Sequence, residues 1–113
     1  MIYYHNPRCS KSRQGLALLE ENNVTPVVKE YLKEGLEAKE LDALFTRLGK
    51  EPLEVMRTKE TVFKELELKG KDLSRNEWIK VITENPVLLE RPILDTGVKA
   101  AVGRPPADLL QLL

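Results

Sequence analysis

Met1-Ile2-Tyr3-Tyr4 is a short β-branched and aromatic run, which reads as a strand. A polar stretch from His5 to Arg13 follows it. Leu16, Leu18 and Leu19, ahead of Glu20-Glu21-Asn22-Asn23, then mark a helix from near Ser10 to near Asn22. Gly15 lies inside that helix, where it costs about 1 kcal/mol relative to alanine and so points to close backbone packing. Pro26 to Leu32 reads as a second strand. Strand, helix and strand in so short a span make a βαβ unit with parallel strands.

The period then changes. Leu41, Leu44, Phe45 and Leu48 fall at i, i+3, i+4 and i+7, one face of a helix, and Gly49 is its stop. Pro52 opens a short helical turn with Leu53 and Met56, and Val62, Phe63 and Leu66 form another. Ser74 and Glu77 form a capping box ahead of the apolar face Trp78, Val81 and Ile82, and Asn85-Pro86 ends that helix. Arg91–Thr96 and Val98–Val102 read as strands around a turn at Gly97. Pro105-Pro106 opens a final helix from Ala107 to Leu113. The predicted order is βαβ, a helical insert over about residues 36–84, then ββα, within one α/β domain.

Composition narrows the function. The 113 residues fit one domain. Lys+Arg and Asp+Glu number 18 each, so the basic excess of a nucleic-acid binder is missing. No apolar run is long enough to span a membrane, and the start lacks the pattern of a signal peptide. A single cysteine forms no internal disulfide, which suits a reducing, cytoplasmic setting.

That cysteine, Cys9, shares the stretch His5-Asn6-Pro7-Arg8-Cys9-Ser10-Lys11-Ser12-Arg13 with the only histidine. It stands where a strand hands over to a helix. The free N–H groups and partial positive charge of a helix N-terminus favour thiolate over thiol. An ordinary cysteine, with a pKa of about 8.5, is only a few per cent thiolate at neutral pH. Arg8, Lys11 and Arg13 add positive charge, and Ser12 lies within reach to donate its O–H to the sulfur. His5 either stabilises the thiolate as a cation or orders the loop as a neutral ring, and Asn6 fixes the loop.

The pattern His-Asn-Pro-x-Cys-x-x-Ser-Arg after a first strand resembles the glutaredoxin-dependent arsenate reductase family. Tyr31-Leu32, Arg57, Asn85-Pro86, Glu90-Arg91-Pro92-Ile93 and Gly103-Arg104-Pro105 extend the resemblance over nearly the whole chain. Ser10 and Lys11 depart from the Gly and Thr of plasmid-type members, and Arg8 from a smaller residue. The resemblance implies a thioredoxin-like fold with a mixed four-stranded sheet and a cis-proline at Pro92. Pro26, Pro52, Pro86, Pro105 and Pro106 are expected to be trans. It also implies Cys9 as nucleophile and Arg57, Arg91 and Arg104 as ligands of an arsenate oxyanion. Glutathione is the expected co-substrate and glutaredoxin the expected partner, with no bound cofactor, no metal and a monomeric chain. Two alternatives remain: a non-enzymatic regulator like the Spx-type proteins, which share this fold and bind RNA polymerase, and a general monothiol oxidoreductase acting on glutathionylated proteins. With Cys9-Ser10-Lys11-Ser12 in place of Cys-x-x-Cys, an internal disulfide switch is impossible, and the second sulfur must come from outside.

Overall fold

Ile2–Tyr4 forms β1, the strand on which the sheet is built. A computed structural model describes all of residues 1–113. β1 pairs in parallel with β2 (Val27–Lys29) and antiparallel with β3 (Ile93–Asp95). β3 pairs antiparallel with β4 (Ala100–Val102), giving a mixed four-stranded sheet of order β2-β1-β3-β4. In register, Tyr3 lies opposite Val28 on one side and Leu94 on the other. The central strands carry the burial: Tyr3, Tyr4, Ile93 and Leu94 are all buried.

The chain divides into two compact units, Met1–Glu34 with Arg91–Leu113, and Gly35–Glu90. In the first, α1 (Ser10–Glu21) and the 3₁₀ turn Pro106–Leu112 pack together. Tyr3, Leu19, Leu94 and Leu109 form its core, flanked by Leu16, Val24, Ala101 and Leu112. Each fully buried aliphatic side chain contributes about 1.5–3 kcal/mol. Gly15 of α1 faces the densest part. A Cβ there would collide with the Tyr3 hydroxyl and lie 3.1 Å from Leu109 Cδ1 and 3.3 Å from Pro92 Cγ. The close packing expected at Gly15 is therefore present.

The second unit is helical. α3 (Ala38–Leu48) buries Leu41, Leu44 and Phe45 and ends at Gly49, whose φ of 67° is the left-handed cap that glycine supplies cheaply. α5 (Arg75–Glu84) starts on Ser74, which accepts the Glu77 N–H while the Glu77 side chain accepts from Ser74 N. It packs on α3 and on the 3₁₀ turn Pro52–Val55. α4 (Thr61–Glu65) brings Phe63 into a stack with Trp78, ring centroids 6.3 Å apart. An antiparallel bridge joins Met56 to Leu89, with Arg57 N donating to Leu88 O at 2.7 Å and Glu90 N to Val55 O at 2.9 Å.

Four local expectations are corrected. Tyr31-Leu32 belongs to α2 (Tyr31–Glu34), not to the second strand. Glu30 O accepts from Lys33 N and Glu34 N, while the Glu34 side chain accepts the Glu30 N–H at 2.8 Å, so a local cap turns the chain. On α5 the buried apolar residues are Trp78, Ile79 and Ile82, with Ile79 in place of Val81. The last element is 3₁₀, with Asp108 N donating to Pro105 O three residues back. The prolines stand at the N-cap and first position, where they suit either kind of helix, so the 3₁₀ form is read from these i to i+3 bonds and not from the sequence. Arg91-Pro92 is cis as expected, but Arg104-Pro105 is cis as well, against the trans expectation. The intrinsic trans preference before proline is only about 0.5–1 kcal/mol. The backbone just before it is held by Gly103 N donating to Pro92 O at 2.8 Å.

Candidate active site

Cys9 is the N-cap of α1, with φ −94° and ψ 123°, and is partly exposed. The loop that presents it is tied by its own backbone. Cys9 N donates to Asn6 O at 3.0 Å, and Asn6 Oδ1 accepts the Arg8 N–H at 3.1 Å. On the far side, Arg13 Nη1 donates to Pro7 O at 2.8 Å. Asn6 thus ties the loop through both its carbonyl and its side chain.

Ser12 is the hub beneath the loop, fully buried. Its Oγ lies 2.7 Å from His5 Nδ1 and accepts the Asn6 N–H at 3.0 Å. Its carbonyl accepts the Tyr3 hydroxyl at 2.6 Å. The expected O–H bond from Ser12 to the sulfur is therefore corrected. The hydroxyl is occupied by the loop, because the Ser12 side chain faces the His5-Asn6 backbone. The Ser12 contribution to Cys9 comes instead through its N–H, which the first helical turn directs at the N-cap. The neutral side chain makes no capping hydrogen bond, yet the N–H dipoles of Ser12 and Lys11 favour the anion.

Two arginines complete the surroundings of the sulfur. Arg104 Nη2 lies 3.6 Å from Cys9 Sγ, and Arg104 Nε donates to Arg91 O at 2.8 Å. Arg91 is near enough to the sulfur to favour its anion by hydrogen bonding and by charge, and its Nε and Nη1 are buried. Burial is the largest single influence on the Cys9 thiol and pushes its pKa up. The Ser12 N–H, the Arg91 hydrogen bond, the Arg91 charge and the Lys11 N–H together outweigh it, so the pKa lies below its ordinary value. His5 moves the other way as a base. Burial, aided by Arg13, lowers its pKa against the raising effect of Glu30, so the ring is neutral near pH 7. Of the two roles open to His5, ordering the loop is the one the geometry supports.

Arg57 belongs to the second unit. Its Nε donates to Glu60 Oε1 at 2.8 Å and its Nη1 to Glu90 Oε1 at 3.0 Å. The sequence reading missed both carboxylates. Glu60 lies three residues after Arg57, and Glu90 is placed by the Met56–Leu89 bridge, a pairing that periodicity does not reveal. It also missed Tyr3 as a brace, since an aromatic residue in a first strand reads as plain core.

No group of three or more His, Cys, Asp or Glu is placed to hold a metal ion, and no helix is long and apolar enough to cross a membrane. The first unit thus offers a cysteine of lowered pKa beside two guanidinium groups, an arrangement suited to attack on a small oxyanion.

The sequence pattern of the ArsC family matches residues 4–112. The arsenate reductase of Haemophilus influenzae is 44% identical over 114 residues, covering 100% of this chain and 98% of that protein. YfgD of Escherichia coli, an uncharacterized protein, is 46% identical over 97% of this chain and 93% of its own length. Among solved structures, the arsenate reductase of Vibrio cholerae superposes with a TM-score of 0.95 at 42% identity, covering 99% of this chain and 96% of that one. The mixed sheet with its helices is the thioredoxin-like α/β fold of these structures. Matched from residue 4 to residue 112 and similar to such relatives along its whole length, this chain belongs to the ArsC family.

Proposed function

We propose that this protein reduces arsenate to arsenite in the cytoplasm, as a monomer, with Cys9 as nucleophile, glutathione as co-substrate and glutaredoxin as the partner that recycles it. The observation that carries the reading is the Cys9 sulfur at the N-terminus of α1, its pKa lowered, with Arg91 and Arg104 beside it. The names of the Haemophilus influenzae and Vibrio cholerae relatives support arsenate as the substrate.

The thiolate attacks arsenic(V), and an arsenate oxygen leaves as water after protonation. Arg91 and Arg104 neutralise the anion and, as permanently charged forks, bind its oxygens in pairs. A glutathione thiol then attacks the arsenic adduct, and a two-electron transfer releases arsenite and leaves a mixed disulfide on Cys9. In sum, two thiols and arsenate give a disulfide, arsenite and water. With one cysteine in the chain, the second thiol has to be external. No bound cofactor is needed. The resemblance adds Arg57 as a third ligand of the oxyanion.

The test is arsenate-dependent NADPH oxidation in the presence of glutathione, glutaredoxin and glutathione reductase. Wild-type protein should support turnover and Cys9→Ser none, with the fold retained. Arg91→Ala, Arg104→Ala and Arg57→Ala should each lower kcat/KM about ten- to a hundred-fold, the loss of one charge-assisted contact. Lysine at these positions should restore only part, because a point charge cannot reproduce the fork. Turnover of glutathionylated proteins without any response to arsenate would replace this reading with that of a monothiol oxidoreductase.

A further inference from the structure

Beside the loop that carries Cys9 lies a groove of about 230 Å³ that the chemistry above leaves unused. His5, which is only 8% exposed, lines it. His5 Nδ1 is engaged by Ser12, whereas Nε2 makes no hydrogen bond within the protein. Arg8 and Lys33 stand on the groove as cations and Glu30 as an anion. Pro7 and the exposed Leu32 add an apolar edge. Lys33 pairs with Glu30 only at 3.7 Å and with its side chain 80% exposed, so a ligand carboxylate can take that cation over.

From this we infer that the groove seats one end of the external thiol donor, a small peptide thiol carrying carboxylates and an ammonium group. The inference rests on the reading that Cys9 requires an external thiol. Arg8 and Lys33 match two carboxylates, Glu30 matches an ammonium, and a neutral His5 offers Nε2 to a hydrogen bond. The volume is below that of a pocket enclosing a whole drug-sized ligand, about 300–1,000 Å³. It therefore holds a terminus and leaves the rest of the peptide, including its thiol, outside. Asn6, Pro7 and Arg8 line the groove and belong to the turn, closed by Cys9 N donating to Asn6 O, that presents the sulfur, so a peptide anchored here begins its approach one residue from Cys9 along the chain. Binding and chemistry would then occupy different side chains, and donor selectivity would reside outside the oxyanion ligands.

Two measurements test it, and the first does not depend on arsenate. S-Methylglutathione, which cannot react, is titrated into the protein and followed by amide NMR shifts. Saturable shifts centred on His5, Arg8, Glu30, Leu32 and Lys33, weakened in Lys33→Glu, are expected. Shifts confined to other surfaces, or none at millimolar peptide, overturn the assignment. The second compares donors in arsenate turnover. Lys33→Glu should raise the half-saturating glutathione concentration about fivefold, the scale of one exposed ion pair. Turnover supported by neutral 2-mercaptoethanol should stay unchanged. An equal loss with both thiols would mark Lys33 as structural and overturn the groove. If no thiol supports arsenate turnover, the proposed function fails, and the NMR titration alone then decides the groove.

Discussion

Cys9 departs from an ordinary thiol through groups that belong to different elements, and each has its own test. Its pKa is lowered against the pull of burial, so the alkylation rate plotted against pH should show a midpoint clearly below about 8.5. The midpoint should rise in Arg91→Ala, since that side chain supplies both a hydrogen bond and a charge. A midpoint at or above the ordinary value in the wild type would contradict the account. As an acid with a depressed folded pKa, Cys9 adds stability above its unfolded pKa and loses it as pH falls through the folded one. His5 is a base with a depressed folded pKa, so between the two values the unfolded chain binds more protons than the folded one. Stability should fall as pH drops below about 6.5 and level off once the folded pKa is passed. Thermal unfolding from pH 8 to pH 5 should show this slope, and His5→Asn should flatten it. At this scale the sequence was informative about identity and less so about contacts. Cys9 and its basic neighbours were legible because strand, loop and helix start are local signals. The direction of the Ser12 hydroxyl, the Tyr3 brace and the carboxylates on Arg57 were not, because each depends on where a distant backbone segment lies.

At the scale of elements, periodicity worked where a helix carries its own signals. α3 with Gly49 and α5 with its Ser74–Glu77 box follow the residues that predicted them. Ser74→Ala should cost about 1 kcal/mol. Calorimetry should then show a fall in melting temperature of about 4–8 °C, as expected for a domain near this size. A helix-propensity argument alone would make Gly15→Ala stabilising by about 1 kcal/mol. The contacts with Tyr3, Leu109 and Pro92 reverse the sign, because overpacking a dense core costs about 1–3 kcal/mol. Gly15→Ala should therefore lower the midpoint of chemical denaturation, and an unchanged or raised midpoint would show that α1 shifts freely. The short elements were harder to read. α2 arises from a cap between Glu30 and Glu34 that overrides a strand-like run, and the terminal element is 3₁₀, a distinction that apolar periodicity over seven residues does not make.

For the molecule as a whole, the arrangement assigns different tasks to different parts of the chain. The sheet and α1 present the Cys9 sulfur, the Arg91 and Arg104 segments bring cations to it, and the groove at His5, Arg8 and Lys33 is our proposed seat for an external thiol donor. The order of strands and helices was readable from the residues, whereas the thioredoxin-like identity needed the family resemblance, since short strands of this kind occur in many α/β folds. The most direct test is a single turnover without glutaredoxin. Protein, arsenate and glutathione are mixed, the peptide containing Cys9 is analysed by mass spectrometry, and arsenite is counted in the same sample. The account predicts glutathione disulfide-linked to Cys9 only when arsenate is present, with one arsenite released per modified protein. Arsenite formed while Cys9 stays unmodified, or modification that proceeds equally without arsenate, would contradict it.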